Sequence, residues 1–410
     1  MSARLAVGAL LVGLSACEPW SQLEDDALCR HRRCDAGTAG GAAGGGDAAG
    51  GGIASTGGGG GAGGGGAGGS GGGTAGGGSA GGTGGGAAGG CATSGLASDA
   101  EHCGRCGHSC LGAPCESGQC QALLLGWVES PEQIAVDSSG IYLAAGQPLT
   151  GGKGGLWHMP LDGGEARPLS IGLPLRYGVQ LDATHAYVAN RASPGQILRV
   201  AKDTLDGGRD AVVIDQDLPT GFVVDRGDVF IPNFAGHLNA GRAAGDGGWV
   251  RLSTAQTPVI AAVDATHVYW SDRGTSRIRK VPRDGGAAED VATGENNPGY
   301  LAIDRAGVYW SLPPPTNAIR FAPHGGSPTT VATARAPNNV VLDDEGVYWS
   351  ELGDAGGQVT WLPRDGGTAR SLARVPQPAE MAQSPNALYV IAFPQDAGPG
   401  VGAVYRLAKP

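Results

Sequence analysis

Six aspartates recur through residues 121–410 at intervals of about forty residues, and carboxylates are side chains that hold metal ions or carry protons. They are Asp137, Asp182, Asp225, Asp264, Asp304 and Asp343. One metal or acid–base site needs only a few such groups, so their recurrence in six equivalent places favours a structural role. Each is expected to cap a turn by accepting hydrogen bonds from backbone N–H groups. His185 and His267 share one position of that turn and are expected to be structural as well.

A second set of side chains lies four residues before the aspartate position. Gln133, Asn339 and Glu380 could supply oxygen ligands to Ca²⁺ or Mg²⁺. The remaining places of this set make a poor metal ring, since they hold Gly178, Gly221, Ile260 and Tyr300. The repeats scatter Ser, His and Asp, so no catalytic triad can be assigned. The sequence therefore predicts no cofactor and no metal. The alternative is a calcium or magnesium ion held by Gln133, Asn339 and Glu380.

The aspartates mark a repeat that runs through residues 121–410. In each unit an apolar strand ends at the aspartate position, and a tight turn leads to an aromatic residue. Seven segments align in one register: Ile134 to Tyr142, Val179 to Tyr187, Phe222 to Phe230, Ala261 to Tyr269, Leu301 to Tyr309, Val340 to Tyr348 and Met381 to Tyr389. A third strand, such as Arg277 to Val281, and a fourth strand complete each unit.

A glycine turn follows the third strand in most units, and Asp-Gly supplies the positive φ that a two-residue hairpin needs. Asp-Gly-Gly begins at Asp162, Asp206, Asp246, Asp284 and Asp365, and His324-Gly325-Gly326 is a variant. Helical periodicity is absent. A period near forty residues with four strands in each unit is typical of a β-propeller. The sequence therefore predicts an all-β fold, a seven-bladed β-propeller over residues 121–410.

The two ends of this region are expected to complete one blade. The seventh unit stops after its third strand, at residues 406–410, and residues 122–128 have no repeat before them. This N-terminal piece is apolar and stands where a fourth strand would stand. We expect it to join the last blade and close the ring, which removes the open sheet edges between the first and last blades.

Three second strands carry a Tyr-Trp-Ser motif, at Tyr269, Tyr309 and Tyr348. They resemble the Tyr-Trp-Thr-Asp repeats of receptor-type propellers, although only Asp272 keeps the terminal acid and that family has six blades. The resemblance supports the fold and implies little about partners. The Tyr and Trp side chains of the second strands are expected in the core between facing blades.

Binding residues tend to lie on loops over a rigid scaffold, and loops are where these units differ most. Loops from each fourth strand to the next first strand should converge on one rim of the channel with the loops between second and third strands. The ligand-binding candidates on this rim are Arg176, Tyr177, Arg191, Asn297, Tyr300, Asn338, Asn339, Arg273 and Glu351, with Lys153 and Asn296 beside them.

All nine cysteines lie in the first 120 residues. Cys29 and Cys34 can close a small loop, and residues 91–120 hold the six further disulfide candidates Cys91, Cys103, Cys106, Cys110, Cys115 and Cys120. Six cysteines allow fifteen connectivities, and the sequence does not choose among them. An exported chain favours disulfides, because thiols are oxidised outside the cytosol.

The segment from Asp99 to Cys110 resembles a short cysteine-rich module of myxobacterial surface proteins, with His102 in place of the usual Asn. The resemblance implies a small disulfide-rich unit ahead of the propeller. Zinc is the alternative for this module, since the pair Cys103 and Cys106 is flanked by His102 and His108.

The N-terminus is predicted to carry an export signal. Arg4 precedes ten apolar residues, Leu5 to Leu14, which are too few to span a bilayer and are typical of a secretory signal. The run ends in Leu14-Ser15-Ala16-Cys17, which resembles the lipobox of bacterial lipoproteins. The resemblance implies removal of residues 1–16, lipidation of Cys17, and anchoring at the outer membrane or cell surface. An ordinary signal peptide with an incidental cysteine is the alternative.

Two further segments separate this anchor from the cysteine module. Residues 17–36 hold the small cysteine loop, and residues 37–90 contain 33 Gly among 54 residues. The second segment cannot bury enough apolar surface to fold, so a disordered linker with a span of about 40 Å is expected. The body has 23 Lys and Arg against 29 Asp and Glu, which argues against a nucleic-acid partner because it provides no basic surface for phosphates.

Two functions fit these observations. The first is a surface-displayed, monomeric module that binds a protein or polysaccharide on the loop rim without catalysis and touches the membrane only through its lipid. The second is an enzyme that resembles propeller lactonases or lyases, which hold a divalent metal at the channel mouth. The poor metal ring favours binding, and the sequence does not identify the ligand.

Overall fold

The computed structural model describes residues 93–146, 154–172, 175–190, 195–203, 209–216, 219–233, 235–243, 248–353 and 356–410. The predicted signal peptide, the linker 37–90 and the cysteines Cys17, Cys29, Cys34 and Cys91 lie outside these residues. Among the described residues, no helix combines the length and the apolar character needed to cross a bilayer.

Strands make up nearly all regular structure of the described residues, apart from one 3-10 turn, η1 (Thr93–Gly95). The first strands are β1 (Cys115–Glu116), β2 (Gln119–Cys120) and β3 (Leu123–Glu129). Blade 1 contains β4 (Pro131–Asp137), β5 (Gly140–Ala145), β6 (Gly155–Met159) and β7 (Arg167–Ile171). Blade 2 contains β8 (Leu175–Leu181), β9 (His185–Asn190), β10 (Gly195–Ala201) and β11 (Arg209–Gln216).

The next three blades repeat this plan. Blade 3 contains β12 (Val223–Asp225), β13 (Asp228–Asn233), β14 (His237–Arg242) and β15 (Val250–Thr254). Blade 4 contains β16 (Pro258–Val263), β17 (His267–Asp272), β18 (Arg277–Pro282) and β19 (Glu289–Thr293). Blade 5 contains β20 (Leu301–Ile303), β21 (Gly307–Leu312), β22 (Ala318–Pro323) and β23 (Thr329–Thr333).

The last two blades finish the ring. Blade 6 contains β24 (Pro337–Leu342), β25 (Gly346–Glu351), β26 (Gly357–Pro363) and β27 (Arg370–Val375). Blade 7 contains β28 (Pro378–Gln383), β29 (Ala387–Ala392) and β30 (Val401–Ala408), with β3 as its fourth strand. First strands of neighbouring blades contact one another all the way round, including β28 with β4, so they line the axis. The predicted seven-bladed β-propeller is confirmed.

The ring closes through the strand that precedes the first repeat. β3 pairs antiparallel with β30, and the register places Leu124 opposite Tyr405 and Val128 opposite Gly402. Leu125 and Val128 turn into the core that blade 7 shares with blade 1, whereas Leu124 and Trp127 are exposed. This alternation buries one face of the strand and confirms the predicted closure.

The core lies between blades. Second strands such as β21, β25 and β29 are buried along their whole length, because each is covered by a neighbouring blade on both faces. Trp270, Trp310 and Trp349 are fully buried, as predicted for these aromatic side chains. One cluster joins Tyr348 of blade 6 to Leu388 of blade 7, so the blades are held together by apolar packing without disulfides.

The recurrent aspartates cap turns in five of the six predicted places. In blade 4, the Oδ1 of Asp264 accepts hydrogen bonds from the backbone N–H groups of Thr266 and His267, both at 2.7 Å. The same backbone capping occurs at Asp137, Asp182, Asp304 and Asp343. Asp225 departs from the pattern, since no backbone N–H of its turn bonds to its carboxylate among the described residues; the carboxylate pairs with Arg226 and Arg283.

A second repeated contact joins neighbouring blades, and the sequence did not reveal it. The residue just after the third strand donates its backbone N–H to a carbonyl of the turn between the first two strands of its own blade. In blade 4, for example, the N–H of Arg283 bonds to the carbonyl of Thr266, two residues after Asp264. At this place Lys202, Arg283, Arg364 and Lys409 each pair with the aspartate of the preceding blade. Each cation also lies 5.1–5.7 Å from an aromatic ring of that blade, respectively Tyr142, Phe230, Tyr309 and Tyr348.

The glycine turns are wider than the predicted two-residue hairpins. In blade 6 the N–H of Gly366 bonds to the carbonyl of Pro363, and β27 begins only at Arg370. Gly366 and Gly367 have φ of +91° and +124°, so the glycines do supply the positive φ values. In blade 5 the turn bond runs from Gly326 to Pro323, which places His324 in register with Arg364 rather than with an aspartate.

Acid is expected to weaken the fold through these turns. Burial raises the pKa of Asp264, but hydrogen bonds from Thr266, His267 and Tyr269 outweigh it and hold the pKa at about 2. A carboxyl with a lowered folded-state pKa stabilises the protein above its unfolded value of 3.8, and this contribution is lost as the pH falls towards 2. Asp264→Asn should therefore flatten the fall of Tm between about pH 4 and pH 2.

The matched control for this prediction is Asp284→Asn, at an exposed turn position. We expect the control to keep the Tm profile of the unmodified chain. Parallel acid profiles for all three proteins, followed by circular dichroism, would contradict the assigned role of Asp264.

Disulfides hold the cysteine module together. Cys103 pairs with Cys115 and Cys110 with Cys120, and Cys106 is also disulfide-bonded. The zinc alternative is therefore wrong, because the sulfurs of Cys103 and Cys106 are not thiolates. The sulfurs of Cys103, Cys110 and Cys120 lie within 4.8 Å of one another, but each is in a disulfide, so this group is not a metal site.

The module docks on blades 6 and 7. His108 bridges it to the chain end, with Nδ1 at 2.7 Å from the carbonyl of Cys103 and Nε2 at 2.8 Å from that of Lys409. The side-chain amide of Gln119 donates to the carbonyls of Ser371 and Leu372 at 2.9 Å. These contacts lie away from the loops between second and third strands, so the module leaves that rim of the ring uncovered.

Candidate functional site

The loops predicted to form one rim do meet. The loop after β17 reaches the loop before β20, where Nε of Arg273 donates to the carbonyl of Pro298 at 3.2 Å. Within single blades, backbone bonds join Arg273 to Thr257, Leu352 to Ala336 and Phe393 to Gln377 at the same end of the ring. At this end of blades 4 to 7, the described loops therefore form a collar around the first strands.

A polar cluster from three successive blades lies inside this collar. Tyr300, Asn339 and Glu380 occupy the same repeat position in blades 5, 6 and 7, at or just before the first strands that line the axis. The hydroxyl of Tyr300 donates to Oε1 of Glu380, and the Nδ2 of Asn339 donates to its Oε2 at 2.8 Å. We call these three residues the axial cluster.

Two residues of the axial cluster are buried, and hydrogen bonds to Ser350 fix the strands that carry them. Glu380 is 7% exposed and Asn339 is 6% exposed, whereas Tyr300 is half-buried. Ser350 Oγ accepts from the backbone N–H of Asn339 at 3.1 Å and donates to the carbonyl of Ala379 at 2.9 Å. The neighbouring blades thereby hold the first strands in one arrangement.

Acceptor atoms dominate this part of the channel. The Oδ1 atoms of Asn338 and Asn339 are buried and have no hydrogen-bond partner among the described residues. A buried amide oxygen without a donor costs about 1–3 kcal/mol, so both oxygens favour a group that brings O–H or N–H donors. The Nδ2 of Asn339 donates to Glu380, so the Oδ1 of Asn339 and the carboxylate of Glu380 together form an acceptor-rich wall.

Two other rim candidates lie near this wall. Arg273 is half-buried beside Pro298, and Asn297 in the same loop is half-buried with a φ of +50°. Asn tolerates this left-handed conformation better than most residues, so the loop bends sharply just before Tyr300. The neighbouring Asn296 is exposed.

Glu351 is placed differently, within blade 6. It is 8% exposed, and its Oε1 accepts from the indole N–H of Trp349 at 2.7 Å and from the hydroxyl of Thr360 at 3.0 Å. Its Oε2 accepts from Gln358 at 3.1 Å. These three donors tie the carboxylate to its own blade. Glu295 similarly accepts from Trp310 at 3.0 Å in blade 5 and was not among the sequence candidates.

The candidates from blade 2 are only partly described. Arg176 and Tyr177 belong to strand β8, and the structure describes no side chain for them. Arg191 and Lys153 lie outside the described residues. The axial cluster of blades 5 to 7 is therefore the part of the rim on which a site can be argued.

The alternative metal set fits poorly. Gln133 lies at the equivalent position of blade 1, but no hydrogen bond joins it to Asn339 or Glu380 within the described chain. Glu380 is the single carboxylate of the three, and both of its oxygens already accept hydrogen bonds. Calcium prefers six to eight oxygens with several carboxylates, so the set lacks ligands for it.

The comparisons with known proteins identify the fold. No family model matches the chain, and no curated protein matches its sequence. A streptogramin B lyase structure is similar, with a TM-score of 0.55 and 11% identity over 70% of this chain and 97% of that one. The WD40 β-propeller domain of Doa1 is similar too, with a TM-score of 0.53 and 13% identity over 69% of this chain and 96% of that one.

These identities are too low to transfer a function, so both neighbours support the β-propeller alone. One is named as a lyase and the other as a WD40 domain, so the fold serves both chemistry and binding. The axial cluster must be judged on its own residues.

Proposed function

We propose that this chain is a bacterial surface lipoprotein whose propeller binds a polar ligand without catalysis. The resemblance of residues 14–17 to a lipobox supports an anchor at Cys17, on the outer membrane or cell surface. The glycine-rich residues 37–90 would let the propeller stand clear of the bilayer. The cysteine-rich module similar to those of myxobacterial surface proteins agrees with an exported location.

The axial cluster carries the proposal for the ligand. Its wall offers the carboxylate of Glu380 and the unpartnered buried oxygen of Asn339. Such a wall favours a ligand rich in O–H or N–H donors, which polysaccharide hydroxyls or peptide amides would provide. Arg273 and Asn297 on the surrounding loops would add contacts at the edge.

Binding by the full chain in detergent tests this proposal against an oligosaccharide panel and biotinylated envelope proteins. We expect Asn339→Ala and Glu380→Gln each to weaken capture about tenfold, because each removes a buried acceptor worth about 1.4 kcal/mol. Asp365→Asn, at an exposed turn on the opposite face, is the matched control and should bind normally. Equal binding by all variants would move the site away from the axis.

The lipid anchor needs a separate test. Cys17→Ser should abolish incorporation of radiolabelled palmitate by bacteria that express the full chain, and it should release the protein from the membrane fraction. An unchanged label or an unchanged membrane fraction would support the ordinary signal peptide instead.

A metal-dependent hydrolase or lyase is the second candidate, because Glu380 is a buried carboxylate at the channel mouth. This candidate predicts that Ca²⁺ or Mg²⁺ raises the Tm of the full chain and that EDTA reverses the rise, since a bound ion stabilises the folded state. The binding proposal predicts a constant Tm. A rise that disappears in Glu380→Gln would favour the enzyme.

A further inference from the structure

The seams between neighbouring blades differ in whether they contain an ion pair between an aspartate and a cation. Four seams contain an aspartate of one blade and a cation of the next, as at Asp304 and Arg364. At the seam of blades 7 and 1, Ser384 replaces the aspartate, and Leu161 stands at the turn position that Arg283 and Arg364 hold. Blade 4 keeps Asp264, and His324 of blade 5 lies 3.5 Å from the Tyr269 hydroxyl there.

The seam of blades 2 and 3 keeps the carboxylate and lacks the cation. Asp182 caps its turn, but the equivalent place after β14 holds Ala243, whose N–H bonds to the carbonyl of Gly227 at 2.9 Å. That is the same backbone bond that Arg283 makes to Thr266, so the two positions correspond. Alanine has no group that reaches the carboxylate.

A cavity of about 470 Å³, open to solvent, lies at this seam. Asp182, His185 and Tyr187 line it from blade 2, and Gly227, Arg242 and Ala243 line it from blade 3. The side chain of Asp182 is 40% exposed, against 20–32% for the aspartates at the four seams that hold a cation. The carboxylate is thus open to a group from outside.

The cavity offers the partners that the internal cations use elsewhere. Lys202 and Arg283 bind an aspartate while lying over the aromatic ring of the same blade. In blade 2, Tyr187 supplies the ring, and its hydroxyl donates to Oδ2 of Asp182. Burial raises the pKa of Asp182, but hydrogen bonds from Tyr187, Thr184 and His185 outweigh it and keep the carboxyl charged at neutral pH.

Two arginines also line the cavity, and both have partners. Arg242 pairs with Asp228 of its own blade at 3.0 Å. Arg199 lies opposite Tyr187 in the sheet and bonds to its hydroxyl. The donors to the Asp182 carboxylate come from its own turn and from Tyr187, so its side facing blade 3 has no positive partner among the described residues.

We propose that this cavity binds an alkylammonium or guanidinium group, as carried by a lysine or arginine side chain of a partner. The incoming cation takes the place that Lys202, Arg283, Arg364 and Lys409 fill at the other seams, between a carboxylate and an aromatic ring. The site lies on the face of the strand 1–2 turns, opposite the axial cluster, so it is independent of the proposed function.

Saturation-transfer NMR on the full chain tests this proposal with three probes. Nα-acetyl-lysine methylamide and methylguanidinium are expected to bind, whereas the neutral Nα-acetyl-norleucine methylamide is not. Asp182→Asn should weaken lysine binding about fivefold or more, because it removes the charge and keeps a turn-capping oxygen. Equal binding of the norleucine probe would overturn the proposal, and so would lysine binding that Asp182→Asn leaves unchanged.

A variant that places an arginine in the cavity gives a second test of the proposal. Ala243→Arg should abolish binding of the lysine probe and raise the Tm, because it restores the internal cation of the other seams. The rise should disappear when Asp182→Asn is added. If the Ala243→Arg variant still bound the lysine probe, or if its Tm did not rise, the assigned site would be contradicted. This test holds even if the Asp182→Asn variant fails to fold.

Discussion

Replacing Leu125 and Val128 together by alanine is expected to lower the free energy of unfolding by about 5 kcal/mol. Both side chains are less than 10% exposed and fill the core between blades 7 and 1, where β3 seals the ring. Their loss leaves cavities at the one seam that depends on strands from both ends of the propeller. Guanidinium unfolding followed by near-UV circular dichroism measures the change.

The same strand provides the control for that prediction. Leu124 and Trp127 are 41% and 49% exposed, so their double replacement by alanine should change stability by less than about 1 kcal/mol. If the buried and exposed pairs had equal effects, β3 would not be the strand that closes the ring.

Trp349→Ala is expected to destabilise the protein by about 3–5 kcal/mol. Trp349 is fully buried in blade 6, and its indole N–H donates to Glu351. The substitution removes the ring from the core and takes one donor from a buried carboxylate, which adds to the loss. Thermal unfolding measures it against Trp127→Ala, the exposed control.

Trp349→Phe separates the two contributions. It keeps most of the apolar volume and removes only the N–H donor, so we expect a loss of about 1–3 kcal/mol. A Phe variant as unstable as the Ala variant would mean that the hydrogen bond to Glu351, rather than packing, dominates at this position.

The blades could be predicted from the sequence because their signals repeat. Aspartates and aromatic residues recur about every forty residues, and an unpaired apolar segment at residues 122–128 matched a missing strand at the other end. These features depend on local pattern and on the requirement that sheet edges be covered. The local pattern and the need to cover sheet edges can both be read from a single sequence.

The cations between blades were missed for a physical reason. Lys202 lies four residues before Asp206, whereas Arg283 directly precedes Asp284, so alignment on the glycine turns hides their equivalence. Only the backbone bonds to Thr184 and Thr266 place the two side chains at one position. The consequence of Ala243 at that position was therefore invisible before the fold was known.

The sequence predicted the residues of the axial cluster separately, without showing that they contact one another. Tyr300 and Asn339 were rim candidates, and Glu380 entered through the metal alternative, because the sequence shows the repeat position but not which blades adjoin across it. Their joint hydrogen bonds depend on the ring geometry. Glu351 was a rim candidate, but its carboxylate bonds within its own blade, to Trp349 of the same strand and to Thr360 of the adjacent strand, which only the fold brings close.

Hydrogen–deuterium exchange on the full chain, with and without a native envelope polysaccharide fraction, tests the central claim most directly. Ligand bound at the axial cluster should slow exchange in peptides that cover residues 297–301, 337–340 and 378–381. Exchange at the strand 1–2 turns, such as that after Asp264, should stay unchanged. Protection confined to those turns or to the outer strands β7 and β19, with none at the axis, would contradict the account.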